Sequence, residues 1–451
     1  MERLSTETGF STFLSSIPRS RHKSSKIRLP NVRALAEVSG VSEEIQFKVL
    51  FAAGGTGGHV YPALAIAEAI RAADRSACVE FVGTKHRIEA TAVPHAGYTF
   101  HHIPAPPLAR PIFRSPQNLL IPWRLLVSVF ASVRLILTFR PQVVIGTGGY
   151  VSGPVCLAAL LCGCPYVIQE QNVRPGLANK ILATFATLVF IAFADTITHF
   201  PFRKCIVSGN PVRATVKKVV PQEVALKHFF PRWSSTHLSD GCTQCDKRWE
   251  VVLIQGGSLG AKSLNLAVIG FVERMLDEHP KRLILWQTGS KHHEGIVNKV
   301  KRRDRVYISE FLHDINMAYS AADLIVACAG AITCSELLIL GKPSVLIPLE
   351  YVADNHQRDN ALVLQKAGAA RILDDVGLNS EKLEVAINQL LGDKAMLANM
   401  SKNATSISVT NAAELISKEV SLLAQGQMMK KGNHFVKISK ELLTCLRIKP
   451  S

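Results

Sequence analysis

Short apolar runs alternate with longer stretches in which apolar residues recur at helical spacing. KVLFAA, CVEFVG, VVIGTGG, PYVIQE, TLVFIAF and CIVSG are the runs of a first series, separated by segments such as PALAIAEAIRAAD and SGPVCLAALLCG. Strand followed by helix, repeated, builds a parallel sheet covered on both faces. A second series of the same kind runs through VVLIQGG, RLILWQTG, VYISEF, LIVACAG, PSVLIPL and AARIL. The pattern predicts an α/β protein of two doubly wound domains facing a cleft. The expected divisions are residues 1–45 ahead of the fold, a first domain over 46–212, a hinge and inserted loop over 213–250, a second domain over 251–385, and C-terminal helices and tail over 386–451.

Composition sets the limits of this picture. With 451 residues, 47% hydrophobic and 19% charged, the chain has ample core for two domains, and its net charge of +17 suits an anionic partner. The first 45 residues differ: from Thr8 to Ala36 there is no acid, and arginines and lysines are interleaved with serines. That is the composition of an organelle transit peptide, of chloroplast type because serine is so frequent. The ten cysteines lie mostly in apolar runs, as reduced buried thiols do. Cys242 and Cys245 form a lone CTQC without a second ligand pair, so a surface loop is expected there rather than zinc. No uninterrupted apolar run reaches the roughly 20 residues of a membrane span. The longest candidate, LLIPWRLLVSVFASVRLILTF, carries Arg124 and Arg134.

Four glycine-rich turns follow strand-like runs: GGTGGH (Gly54 to His59), GTGGYVSGP, GGSLGAKS and CAGAITCSE. Such turns let backbone approach phosphate while the next helix offers free N–H groups and the positive end of its dipole. Four of them, spread over both domains, imply a cleft that handles phosphates from two sides. None fits G-x-G-x-x-G with an acidic residue after the next strand, and none has the G-K-[ST] of a nucleoside triphosphatase, which argues against dehydrogenase and kinase chemistry.

The ordered set GGTGGHVYPALAIA, GTKHRIEA, GTGGYVSGP, EQNVRPGLANK, GNPVR, GGSLGAKSLN, WQTG, SEF, GAITCSELLILGKPSVLIPL and NHQRDNALVLQKAGAA resembles the motifs of the MurG family. That family moves N-acetylglucosamine from UDP-GlcNAc to the lipid-linked muramoyl-pentapeptide of peptidoglycan synthesis. The resemblance covers about Phe47 to Leu373 and implies two Rossmann-like domains of the GT-B glycosyltransferase type. It implies that Ser258 and the GGSLGA N–H groups bind the UDP diphosphate and that Glu336 accepts the ribose hydroxyls. Ala331, Ile332, Thr333, Cys334 and Ser335 lie along the nucleotide, with Phe311 and Leu312 framing the uracil. Gln357 and Asn360 take the sugar hydroxyls, and Asn172 and Arg213 complete the donor site. On the acceptor side stand Thr56, Gly57, Gly58 and His59, with Tyr150 and Glu170 beside them.

Displacing UDP with inversion needs a base, and histidine titrates near working pH. His59 is the first choice, with Glu170 and Tyr150 as alternatives. A histidine that only caps or packs the turn is the competing reading. No D-x-D pair appears in these loops, so neither metal nor cofactor is expected. Leu259 stands where the family often has a polar residue, and Gln169 where a histidine is common. The expected partners are UDP-GlcNAc, a polyprenyl-diphosphate-linked muramoyl-peptide and a membrane surface met peripherally through residues 108–140, with no nucleic acid. The expected location is a chloroplast, peripheral on an inner or envelope membrane, or else the cytoplasmic face of a membrane. A plastid glycerolipid glycosyltransferase, a UDP-GlcNAc epimerase of similar architecture and a UDP-sugar-binding protein without turnover remain as alternatives.

Overall fold

A computed structural model describes residues 46–105, 120–231, 249–301, 304–350 and 356–426. The expected targeting segment, the CTQC pair and the start of the basic apolar stretch lie outside the described residues. Two parallel sheets belong to one compact unit that begins at Gln46. In the first, β1 (Lys48–Ala52), β2 (Cys78–Gly83), β3 (Thr99–His102), β4 (Val143–Gly146), β5 (Tyr166–Glu170), β6 (Leu188–Ile191) and β7 (Cys205–Val207) lie in the order β3-β2-β1-β4-β5-β6-β7. In the second, β8 (Glu250–Gln255), β9 (Arg282–Gln287), β10 (Val306–Ser309), β11 (Leu324–Cys328), β12 (Ser344–Ile347) and β13 (Ala370–Ile372) lie in the order β10-β9-β8-β11-β12-β13.

The central strands are apolar throughout because each sheet is buried on both faces. Leu50 and Ala52 pack on one side of the first sheet, and Val49 and Phe51 on the other. The second sheet divides the same way, Leu253 from Val252 and Ile254.

Strand order places the chemistry. In each sheet the winding reverses between two central neighbours: β1 beside β4, with Ala52 opposite Gly146, and β8 beside β11, with Gln255 opposite Ala327. Ligands of doubly wound sheets bind outside the carboxyl ends at such reversals. All four glycine turns follow these four strands, so the sequence marks both reversals and nothing else.

Three details depart from expectation. Residues Gln222–Phe229 form a helix, because Ala225, Leu226, Phe229 and Phe230 share one face and fill the core under the second sheet. The hinge and inserted loop expected over 213–250 therefore contain a helix. The chain's last described helix, residues 412–426, returns to the first domain and buries Ile416, Val420 and Ala424 beside Phe47, Val49 and Val60. Finally, Ile121–Phe139 is one helix of 19 residues, long and apolar enough by length and composition to cross a membrane. Arg124 and Arg134 break the apolar run without breaking the helix. Only its stripe Ser128, Val129, Ser132 and Ile136 is buried, leaving Trp123, Leu126, Phe130 and Leu137 exposed.

Candidate active site

The turn after β1 is held from below by Glu89, a fully buried carboxylate. It accepts from the Gly55 N–H at 3.0 Å and from both the backbone and the hydroxyl of Thr84, at 3.2 and 2.7 Å. The Thr84 hydroxyl lies 3.3 Å from that of Tyr150, which covers Gly55. Glycine is needed where the two turns meet: Gly149 has φ of +77°, and a Cβ there would collide with the Gly54 carbonyl oxygen. The helices Gly57–Ala73 and Gly149–Leu161, which follow these turns, start without a side-chain cap, so their first N–H groups remain available.

His59 sits in the first turn of Gly57–Ala73, its ring against Gly148. Nδ1 is 3.0 Å from both the Thr147 carbonyl oxygen and Gln171 Oε1. Gln171 Nε2 donates to that same carbonyl at 2.7 Å and to Gln169, which fixes the amide with its oxygen toward the histidine. With acceptors on two sides, Nδ1 carries the proton. The lone pair is then on Nε2, which has no hydrogen-bond partner among the described residues. Gln169 is wholly buried and donates to Asn210 at 3.1 Å, so its departure from the family pattern lies behind the site, not in it.

Glu170 is different from expectation. Its carboxylate is 2% exposed and already accepts four hydrogen bonds, from Asn172 N and Nδ2, Gly176 N and Asn179 Nδ2, at 2.9 to 3.2 Å. A carboxylate with its lone pairs so engaged shapes the EQN loop and is no base.

On the opposite wall, the GGSLGA turn presses against the turn after β9, with Gly257 and Gly260 at φ of +78° and +87°. The Ser258 carbonyl accepts from the Ser290 N–H at 3.1 Å, while its hydroxyl has no partner among the described residues and is exposed beside Leu259. The helices Lys262–Ile269 and Ala331–Ile339 also start uncapped, which frees N–H groups of Ile332 and Thr333. Glu336, half-buried, takes the Tyr319 hydroxyl on Oε2 at 2.7 Å. Burial pushes its carboxyl above the ordinary value, against the pull of the Tyr319 hydrogen bond and the Arg213 charge. Arg213 is stacked on Tyr61, its Cζ 4.3 Å from the ring centroid, which aims a cation from the hinge toward Glu336.

Other expected ligand contacts turn out to be structural. Asn360 is fully buried: its Oδ1 accepts from Val173 N at 3.0 Å, and Nδ2 donates to Asn172 Oδ1 and the Ala329 carbonyl at 3.2 and 3.3 Å. Every group it could offer a sugar is spent clasping the two domains. Ser335 donates to the Ala331 carbonyl and accepts from Asn210 at 2.9 Å, again across the hinge. Cys334 points into the core, its thiol pushed by burial up to about 12. The Leu312 side chain is also in the core, and its N–H donates to Gln287. The Gln357 amide oxygen accepts from Leu349 N at 2.9 Å, and its nitrogen has no hydrogen-bond partner among the described residues. Phe311 remains half-buried, edge-on to His313.

Residues 49–191 match the glycosyltransferase family 28 N-terminal domain, and 251–419 match the family 28 C-terminal domain. A Salinibacter ruber protein named UDP-N-acetylglucosamine–N-acetylmuramyl-(pentapeptide) pyrophosphoryl-undecaprenol N-acetylglucosamine transferase is 39% identical over 376 residues, covering 83% of this chain and 96% of the relative. The chain belongs to the MurG family. A relative of the same name from Thermoanaerobacter sp. is 38% identical over 82% of this chain and 98% of its own length. The MurG crystal structure from Acinetobacter baumannii superposes with a TM-score of 0.63 at 29% identity, covering 83% of this chain and 99% of that one. A UDP-GlcNAc 2-epimerase from Neisseria meningitidis, bound to UDP-GlcNAc, shares the fold alone, at 18% identity and a TM-score of 0.57 over 83% of this chain and 99% of its own.

Within this MurG framework, sequence reasoning passed over Glu89, Gln171 and Asn210. Each is a buried polar residue inside a quoted motif; only Glu89, set between Ile88 and Ala90, stood out as a polar residue between apolar neighbours, while Gln171 and Asn210 carried no such local signal.

Proposed function

We propose that this chain is an inverting N-acetylglucosaminyltransferase, moving the sugar of UDP-GlcNAc to the 4-hydroxyl of a lipid-linked muramoyl-peptide. The observation that carries the reading is His59, its Nδ1 proton fixed by two acceptors and its Nε2 lone pair left open at the mouth of the acceptor domain. The acceptor hydroxyl gives its proton to Nε2 as its oxygen bonds to the anomeric carbon. The bond from that carbon to the UDP oxygen breaks on the opposite face, giving a β-linkage. Departing diphosphate gains charge, which the N–H groups of the uncapped helices Lys262–Ile269 and Ala331–Ile339 and the Arg213 guanidinium stabilise without reorganisation. Glu336 holds the ribose diol, and the Gln357 amide nitrogen a sugar hydroxyl.

Helix Ile121–Phe139 brings the enzyme to its lipid substrate by lying in the bilayer surface, not by crossing it. Its buried stripe is bonded to the domain, the Ser128 hydroxyl donating to the Pro104 carbonyl, while Trp123, Phe130 and Leu137 face outward. Residues 1–45 direct the chain to a plastid on their composition. Product analysis with UDP-GlcNAc and defined lipid acceptors tests the assignment: a disaccharide on muramoyl-peptide lipid is expected, and transfer only to a glycerolipid overturns it. Fusion of residues 1–45 to a fluorescent protein tests the targeting, which diffuse cytosolic signal refutes.

A further inference from the structure

Between the turn after β2, the end of β3 and helix Ile121–Phe139 lies a cavity of about 720 Å³, lined by Thr84 beside the acceptor turn, by Trp123 of the outward helix face and by basic residues that the proposed reaction does not use. Lys85 and His86 from the turn after β2, His102 from the end of β3 and Arg124 from the helix line it. None of these four is ion-paired among the described residues. The carboxylates nearby are occupied: Glu80 takes His101 Nε2 at 2.7 Å, and Glu89 is consumed by the Gly55 and Thr84 bonds. Trp123 and Val127, on the same helix as Arg124, add apolar lining at the exposed face that also carries Phe130. Lysine and arginine side chains beside hydrocarbon in one cavity fit an anion joined directly to an apolar chain.

The cavity's position narrows the choice. Thr84 lines it, stands 3.3 Å from the Tyr150 hydroxyl, and shares Glu89 with Gly55 of the turn that ends at His59. It therefore adjoins the proposed acceptor turn at one end and the lipid-facing helix at the other. We propose that this cavity holds the junction of diphosphate and prenyl chain in the acceptor, with Lys85 and Arg124 on the phosphates and Trp123 against the first isoprene units. The inference deepens the transferase reading and rests on it for the acceptor's identity, while the ligand chemistry is read from the cavity itself.

Titration with farnesyl diphosphate, a soluble probe of that junction, tests it without turnover, beside inorganic diphosphate, farnesol and a lipid-free muramoyl-pentapeptide. The wild-type protein is expected to bind farnesyl diphosphate at least about tenfold more tightly than either half of the probe, a difference of about 1.4 kcal/mol. Lys85→Ala combined with Arg124→Ala is expected to remove about that factor and to leave UDP-GlcNAc affinity and the melting curve unchanged. The charge-conserving pair Lys85→Arg and Arg124→Lys is expected to restore most of it. Equal weakening of the lipid-free muramoyl-pentapeptide would show that peptide carboxylates fill the cavity and would overturn the proposal, as would binding indifferent to all four substitutions. Farnesyl diphosphate binding lost on charge removal, in a protein that transfers sugar to no muramoyl lipid, would support the cavity assignment and sink the transferase reading. Normal transfer with an unchanged KM for lipid acceptor in the alanine pair would do the reverse.

Discussion

Replacing Glu336 with glutamine should make the unliganded protein more stable and the donor complex weaker. The carboxylate is half-buried, and its pKa is raised chiefly by burial, so the native state holds its proton more tightly than the unfolded chain does. The stability linked to this proton is complete below the ordinary glutamate value of 4.5 and is lost as pH rises through the raised one. Holding the group in its site thus costs stability above pH 4.5, pH 7 included. An amide of the same shape removes that cost and still accepts the Tyr319 hydroxyl now 2.7 Å from Oε2. The ribose diol loses a charged acceptor, worth about 1.5 to 3 kcal/mol, or roughly 10- to 150-fold in Kd. Calorimetric titration with UDP-GlcNAc and thermal melts at pH 4 and 7 read both halves. The expected Tm order is glutamine above wild type at pH 7, converging toward pH 4, and inverted under saturating UDP-GlcNAc. An unchanged Kd with a normal melt would place the ribose elsewhere, and a lower Tm for the unliganded variant at pH 7 would refute the burial argument.

Substituting His59→Ala should lower kcat by about 10²- to 10⁴-fold, the usual share of a general base, with UDP-GlcNAc affinity within a few-fold of wild type. Steady-state kinetics beside donor titration checks it, and joint loss of donor binding and Tm would make the histidine structural. Asn360→Ala strands the Val173 N–H and the Ala329 carbonyl at the domain joint, so a loss of about 1 to 3 kcal/mol in unfolding free energy is expected by denaturant titration. If Asn360 instead binds sugar, stability will hold and KM for UDP-GlcNAc will rise. Phe130→Glu, on the exposed face of Ile121–Phe139, should reduce cosedimentation with anionic vesicles while leaving donor affinity intact, and undiminished cosedimentation would remove this helix from the membrane contact.

Among the described residues, twelve of the thirteen strands could be read from the chain, the central ones because parallel strands covered on both faces are apolar along their length and the edge strands β7, β10 and β13 because each still carries a short apolar run. The exception, β3, reads TFHH: a short edge strand, partly exposed, has no apolar run to announce it. Helix Gln222–Phe229 was hidden by polar neighbours that lie outside the packed face. In the site, the glycine turns and His59 were legible since each is a local backbone feature. Side-chain direction was not. GAITCSE fixes the order of Cys334, Ser335 and Glu336, but only the packed helix decides that the first faces the core, the second the hinge and the third Tyr319. Gln171 and Asn210 act on partners remote in sequence, Asn210 on Ser335 at a separation of 125 residues, and no local pattern encodes such a pair.

The return of residues 412–426 to the first domain has a consequence for how the molecule is made. Ile416, Val420 and Ala424 are wholly buried in a cluster that includes Phe47 and Val49, so the first strand of the fold shares a core with a helix about 370 residues later in the chain. Domains ordinarily fold as units, the N-terminal one first, while the rest is still being translated. Here the leading sheet can pair its strands on the ribosome, yet the groove beside helix Gly57–Ala73 stays uncovered until residues 416–424 have emerged. The closing helix thus ties maturation of the first domain to completion of the second, and a chain released early would carry an exposed apolar seam for chaperones and proteases to read.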